Sequence, residues 1–224
     1  MLALHNFNER ERAETLLAAL MKGESIALIS DAGTPLISDP GFHVVKLARD
    51  AGIKIIPIPG ACAAIAALSV AGLPTDQFTF VGFLPAKTAA KTTALQSILT
   101  ETRTLIFYEA PHRLIATLET LQTVFADREI VVARELTKLF ETIYQGSAES
   151  LLAHFATHGD EVRGEIVILV AGSEVAQSHS GALDGEKILD ILLRELPIKQ
   201  AAQLASEITG ERKNKLYDLA LKKK

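Results

Sequence analysis

A chain of 224 residues, 48% of them hydrophobic, is long enough for one large domain or two small ones with a real core. Its single cysteine, Cys62, excludes an internal disulfide framework; with no long apolar run and no export signal, a cytoplasmic protein without a membrane span is expected. The net charge of −4 argues against broad coating of nucleic acid, yet residues 186–224 hold nine Lys/Arg against six Asp/Glu, a local +3 on a body of −7.

A helix is predicted over Asn8–Lys22, with Ala13, Leu16, Leu17 and Leu20 on one face and Gly23 as its stop. Ser25–Ile29 reads as a strand. The twelve residues from Ser30 to Gly41 then crowd together two Gly, two Pro, two Asp, two Ser and a Thr, where no regular element continues. Such a loop at the carboxyl end of a strand stands where open α/β sheets place their ligands. Gly33 lets a ligand approach the backbone, and Pro35 and Pro40 stiffen the loop. Phe42–Asp50 is a helix closed by Gly52, Ile53–Pro57 a strand, and Ala61–Ala71 an Ala-rich helix ending at Gly72. This alternation predicts a parallel sheet.

Leu73–Lys87, with Pro74, Gly82 and Pro85 around Phe78–Val81, reads as a crossing between two domains. Helices are then expected at Lys91–Leu99, Pro111–Phe125 and Ala148–His158. Strands are expected at Arg103–Tyr108, Glu129–Ala133, Thr142–Tyr144 and Glu165–Ala171. Ser173–Gly185 is polar and aperiodic, a linker. Three short helices follow, Glu186–Leu196, Lys199–Ile208 and Arg212–Leu221, parted by Pro197 and by Thr209-Gly210 in a helix-turn-helix outline. Arg212, Lys213, Lys215 and the terminal Lys222, Lys223 and Lys224 make this end basic, which fits either an RNA contact or a solvated helix with a frayed tail.

Asp31 could accept hydrogen bonds from a ligand amine or hydroxyl, whereas Asp39, before Pro40-Gly41, fits a turn-forming role. Cys62 lies in an Ala-rich stretch and reads as a small apolar residue. The six histidines are dispersed and no metal site is expected. Walker A, Gly-x-Gly-x-x-Gly and Gly-x-Ser-x-Gly patterns are all missing.

The loop Ser30–Gly41 resembles the signature of the ribosomal small subunit methyltransferase I family, in the tetrapyrrole-methylase superfamily of S-adenosylmethionine enzymes. Six further blocks agree in order: Pro57–Ala64, Ala71–Asp76, Gly82–Lys87, Phe107–Arg113, Ala133–Lys138 and Gly164–Val167. The resemblance implies an α/β fold of two methylase-type domains with a small helical module. Its parts would be residues 1–74, 75–172, a linker at 173–185, and 186–224. It also implies S-adenosylmethionine as cofactor, 2′-O-methylation of a cytidine ribose in the decoding region of 16S rRNA, small-subunit binding and a homodimer.

The cofactor cradle would be Asp31, Ala32, Gly33, Thr34 and Ile37 facing Pro59, Gly60, Ala61 and Cys62. The resemblance adds Tyr108, Leu136, Thr137 and Gly164 on the other side. Glu109, His112, Glu135 and Lys138 are candidates to remove the acceptor's proton, Glu109 and Lys138 first among them; both fit a structural ion-pair role equally. Arg113 and Arg134 would steer phosphates. Members of the family normally carry a longer N-terminal segment with a first strand and a Pro-Thr-Pro-Ile-Gly-Asn-Leu loop. The chain is therefore expected to have a compromised first sheet and little transfer activity alone. A binding remnant and a tetrapyrrole or other small-molecule methyltransferase are the other readings.

Overall fold

The computed structural model describes residues 1–5, 7–173 and 185–222. The linker expected at 173–185, apart from its two end residues, and the terminal Lys223 and Lys224 lie outside the described residues. The chain forms two compact units, Met1–Ser173 and Glu174–Lys224.

The first unit opens with three helices: α1 (Glu9–Met21), α2 (Phe42–Asp50) and α3 (Ala63–Val70). The Glu9 carboxylate is buried and accepts hydrogen bonds from the amides of Gly41 and His43, at 2.9 and 2.8 Å. An anion thus caps the open amides at the start of α2 and ties α1 to it. Among the described residues, no strand lies in 1–74. Ser25–Ile29 and Ile53–Pro57, expected as parallel strands, run without ladder partners, and Ile26, Ile29, Ile55 and Ile56 are exposed. Their composition suits a pleated, half-buried surface, but a strand forms only beside a neighbour that takes its backbone groups.

The sheet comes from later residues: β1 (Phe78–Phe83), β2 (Thr104–Glu109), β3 (Ile130–Arg134), β4 (Thr142–Gly146) and β5 (Ile166–Val170). Its order is β1-β2-β5-β3-β4, parallel between β1 and β2 and antiparallel elsewhere. Phe78–Val81, expected as irregular chain, is therefore part of an edge strand. Gly82, at φ +76°, bulges where the register slips between Phe80 and Gly82, so the strand continues past a residue that reads as a stop.

Successive side chains in the central strands alternate between two cores. Leu105, Phe107, Ile130, Val132, Ile168 and Val170 pack against α4 (Thr88–Ser97), α5 (Leu114–Phe125) and α6 (Ala148–Thr157). Ile106, Val131, Ala133, Val167 and Leu169 meet Ala64, Ala67, Leu68 and Ala71 of α3. Small residues on α3 bring it close to the sheet. The expected helix from Pro111 starts as a 3₁₀ turn, Pro111–Arg113, before α5.

The second unit holds α7 (Gly185–Leu192), α8 (Ile198–Thr209) and α9 (Lys213–Lys222) around Leu189, Ala201, Ala202, Ala205, Leu216 and Ala220. Gly210, in the left-handed region at φ +73°, ends α8 with its amide on the Ser206 carbonyl.

Candidate active site

One cleft of about 1050 Å³ opens on the first unit where the 30–39 loop, the start of α3 and the sheet's strand ends converge. The loop is held in shape by backbone that few residues adopt. Gly33, Leu36, Ser38 and Gly41 all have positive φ, and a Cβ on Gly41 would sit 2.8 Å from Leu28 Cδ2. Thr34 Oγ1 donates to the Ala61 carbonyl at 2.9 Å, which fastens the loop to the turn before α3. Ala64 N donates to Tyr108 Oη at 3.2 Å, which fastens α3 to β2. Burial pushes the Tyr108 phenol above its ordinary pKa, so it stays neutral and accepts this bond.

Asp31, Ala32, Gly33, Thr34 and Ile37 line the cleft, as do Gly60, Ala61 and Cys62. Tyr108, Leu136, Thr137 and Gly164 form the facing wall with Glu109 and Lys138. Pro59 does not line it. The Asp31 carboxylate makes no hydrogen bond within the described residues. Sequence reasoning missed Ile65 and Ser69, which line the cleft from the face of α3 opposite Ala64, Ala67 and Ala71; helical spacing from those small residues carries that signal. It also missed Phe83, hidden behind the Gly82 bulge, and gave Asp39 only a turn role although it lines the cleft.

The two favoured proton acceptors are heavily engaged. Glu109 is buried; its Oε1 accepts from Ala110 N at 2.9 Å and faces Arg113 Nε at 3.1 Å, and its Oε2 accepts from Thr117 Oγ1 at 2.6 Å. Lys138 Nζ donates to Glu135 Oε1 at 2.8 Å and lies 3.4 Å from Glu165 Oε2. The Glu135 carboxylate raises the Lys138 pKa and keeps it an ammonium. Neither side chain is a free base in this arrangement. Glu135 itself is locked by Lys138 and by the Glu165 amide at 2.9 Å.

Arg113 reaches the Leu84 carbonyl as well as Glu109, and Arg134 Nε donates to the Arg163 carbonyl at 3.1 Å, so both brace the wall. In the second unit Lys213 joins Lys199, Gln200, Gln203 and Leu204 around a hollow of about 440 Å³, Lys215 pairs with Glu211 at 2.7 Å, and Arg212 stands just before α9. No cluster of three metal-ligating side chains exists among the described residues.

Residues 3–152 match the tetrapyrrole (corrin/porphyrin) methylases, and residues 179–224 match the RsmI C-terminal HTH domain. The chain is 52% identical over 223 residues to ribosomal RNA small subunit methyltransferase I of Pseudomonas aeruginosa, covering 99% of this chain and 79% of that protein. Against the protein of the same name from Escherichia coli O157:H7 the identity is 51%, over 99% and 77%. The chain belongs to the ribosomal RNA small subunit methyltransferase I family.

The crystal structure of the methyltransferase CobJ shares the fold at a TM-score of 0.55, with 20% identity over 74% of this chain and 72% of that one. The methyltransferase family blocks meet at the cleft: Ser30–Gly41, Pro57–Ala64, Gly82–Lys87, Phe107–Arg113, Ala133–Lys138 and Gly164–Val167 each give residues to its wall, while Ala71–Asp76 does not. No helix among the described residues is long and apolar enough to cross a membrane.

Proposed function

We propose that the chain binds S-adenosylmethionine in this cleft and methylates a cytidine ribose 2′-oxygen in the decoding region of 16S rRNA, within the cytoplasm and as a homodimer. The observation that carries the reading is the convergence of the 30–39 loop, the turn before α3 and three strand ends on one cavity lined by Asp31, whose carboxylate has no hydrogen-bond partner among the described residues. The cavity is of the order that takes a drug-sized ligand, roughly 300–1,000 Å³. Ile37, Ile65 and Leu136 give it an apolar surface for a purine, and Asp31, Ser30 and Thr34 offer acceptors and hydroxyls for an amine or ribose. Exposed isoleucines in 26–58 supply an apolar surface for self-association.

The sulfonium supplies an activated methyl and leaves as a neutral thioether. The walls hold donor and acceptor in line. Lys138, held as a cation, stabilises negative charge building on the ribose oxygen, and that oxygen's proton leaves to solvent at the cleft mouth. Glu109 shapes the rim. The basic side chains Lys213, Lys215 and Arg212 would neutralise RNA phosphates.

Titration with S-adenosylhomocysteine tests the donor site. Wild type should bind, and Gly33→Val, which puts a branched side chain on a cleft-lining residue at φ +73°, should bind at least about tenfold more weakly while still unfolding cooperatively, at a melt lowered by strain of roughly 1–3 kcal/mol. Equal binding by both proteins would move the donor elsewhere. A second reading, a remnant that binds the small subunit but cannot hold the donor, is favoured by the unpaired segments Ser25–Ile29 and Ile53–Pro57 at the feet of both loops. It requires binding to small-subunit particles with no uptake of S-adenosylhomocysteine and no methyl transfer.

A further inference from the structure

Lys91 is 2% exposed, yet it sits on α4, none of whose residues lines the cleft. Its Nζ donates to Thr117 Oγ1 at 2.6 Å, and Thr117 Oγ1 donates in turn to Glu109 Oε2 at 2.6 Å. The other oxygen of Glu109 receives the amide of Ala110 at 2.9 Å. Ala110 and Pro111 line the cleft, and the Ala110 carbonyl receives the Arg113 amide at 2.9 Å. A chain of four hydrogen-bonding groups thus runs from α4, through α5, to the cleft rim.

Thr117 is unusual among the helical threonines here. Thr92, Thr93, Thr120 and Thr123 each turn the hydroxyl back onto the carbonyl four residues earlier, at 3.0, 3.0, 2.7 and 2.9 Å. That local bond is the default for a threonine inside a helix. Thr117 instead sends its one proton out to Glu109, while a lone pair is filled by Lys91. Burial pulls the Lys91 pKa down and the Glu109 carboxylate opposes that pull, so the lysine is held where its charge is costly. A residue kept at such a place for packing alone would be replaced to advantage by methionine, which has nearly its shape.

The geometry points to Lys91 as a positioning residue: it turns the Thr117 hydroxyl toward Glu109, and Glu109 thereby fixes the Ala110–Pro111 rim against which the donor is held. Without Lys91, the Thr117 hydroxyl swings to the Arg113 carbonyl like its neighbours, Glu109 Oε2 loses its donor, and the carboxylate no longer holds the Ala110 amide in one place. The effect on ligand rests on the proposed donor site; the effect on the rim does not.

Lys91→Met, Thr117→Val and Thr117→Ser are compared with wild type in the full chain. The readouts are Ala110 amide exchange relative to buried β2 amides, the melt, and S-adenosylhomocysteine affinity. Lys91→Met and Thr117→Val should speed Ala110 exchange about tenfold relative to β2 and weaken the ligand by a similar factor, consistent with losing a hydrogen bond to a charged group. Thr117→Ser should behave as wild type. Leu118→Ala, which empties the neighbouring core without touching the relay, should lower the melt yet leave the Ala110-to-β2 ratio unchanged. Should Lys91→Met fail to fold, Thr117→Val carries the same test. If Ala110 exchange moves only in step with β2 in Thr117→Val and Lys91→Met, the relay does not position the rim. If wild type takes up no S-adenosylhomocysteine, the donor site is wrong, and the exchange ratio still decides the relay.

Discussion

Gly164 carries the tightest steric constraint in the cleft wall. It adopts φ +78°, and a Cβ there would lie 2.2 Å from Glu135 Oε1, the oxygen that receives both Lys138 Nζ and the Glu165 amide. Gly164→Ala must push Glu135 aside and strain its own backbone. It should cost about 1–3 kcal/mol, read as a lower urea midpoint with unchanged slope. A second residue gives a pH signature. Arg103 grips both oxygens of Glu101, at 2.8 and 2.6 Å, and holds its carboxyl down at about 2 from an ordinary 4.5. Because the folded pKa is depressed, this stabilisation is fully present above about pH 4.5 and is lost as pH falls toward 2. The urea midpoint of wild type minus that of Glu101→Gln should be flat above that range and shrink below it. A difference that grows on acidification would contradict the pairing.

At the scale of elements, what the sequence made legible follows what each element needs from its neighbours. α2 was legible to the residue because Gly41 and Gly52 bracket one amphipathic turn pattern. β2, β3 and β5 were legible because strands buried on both faces read as apolar runs. β1 was hidden by Gly82, whose bulge looks like a stop, and by flanking prolines that lie outside the strand. Ser25–Ile29 and Ile53–Pro57 have strand composition, but pairing is a property of two segments, and composition shows only one. In the site, turn-rich loops were visible from Gly and Pro content. The relay through Lys91 was not, since a lysine in a helix ordinarily reads as solvent-facing. The C-terminal helices rest on a core in which alanines outnumber leucines, with Leu189 fully buried. Leu189→Ala should therefore cost about 2–5 kcal/mol and unfold α7–α9 while β2 and β5 amides stay protected from exchange. Simultaneous loss of both units would show that they do not melt separately.

For the whole molecule, chemistry and charge fall on different units. The cleft, its Asp31 and the Lys138 cation belong to Met1–Ser173, whereas the basic excess of +3 belongs to residues 186–224 of a chain at −4. The proposal assigns the methyl transfer to the first and RNA phosphate contacts to the second. The most direct test is transfer of labelled methyl from S-adenosylmethionine to small ribosomal subunits lacking the modification, followed by nucleoside analysis of the 16S rRNA. The account predicts label in a single 2′-O-methylcytidine of the decoding region, lost in Gly33→Val and weakened as salt rises. Label on a base, label on an added tetrapyrrole instead of RNA, or no label from a protein that binds S-adenosylhomocysteine would contradict it.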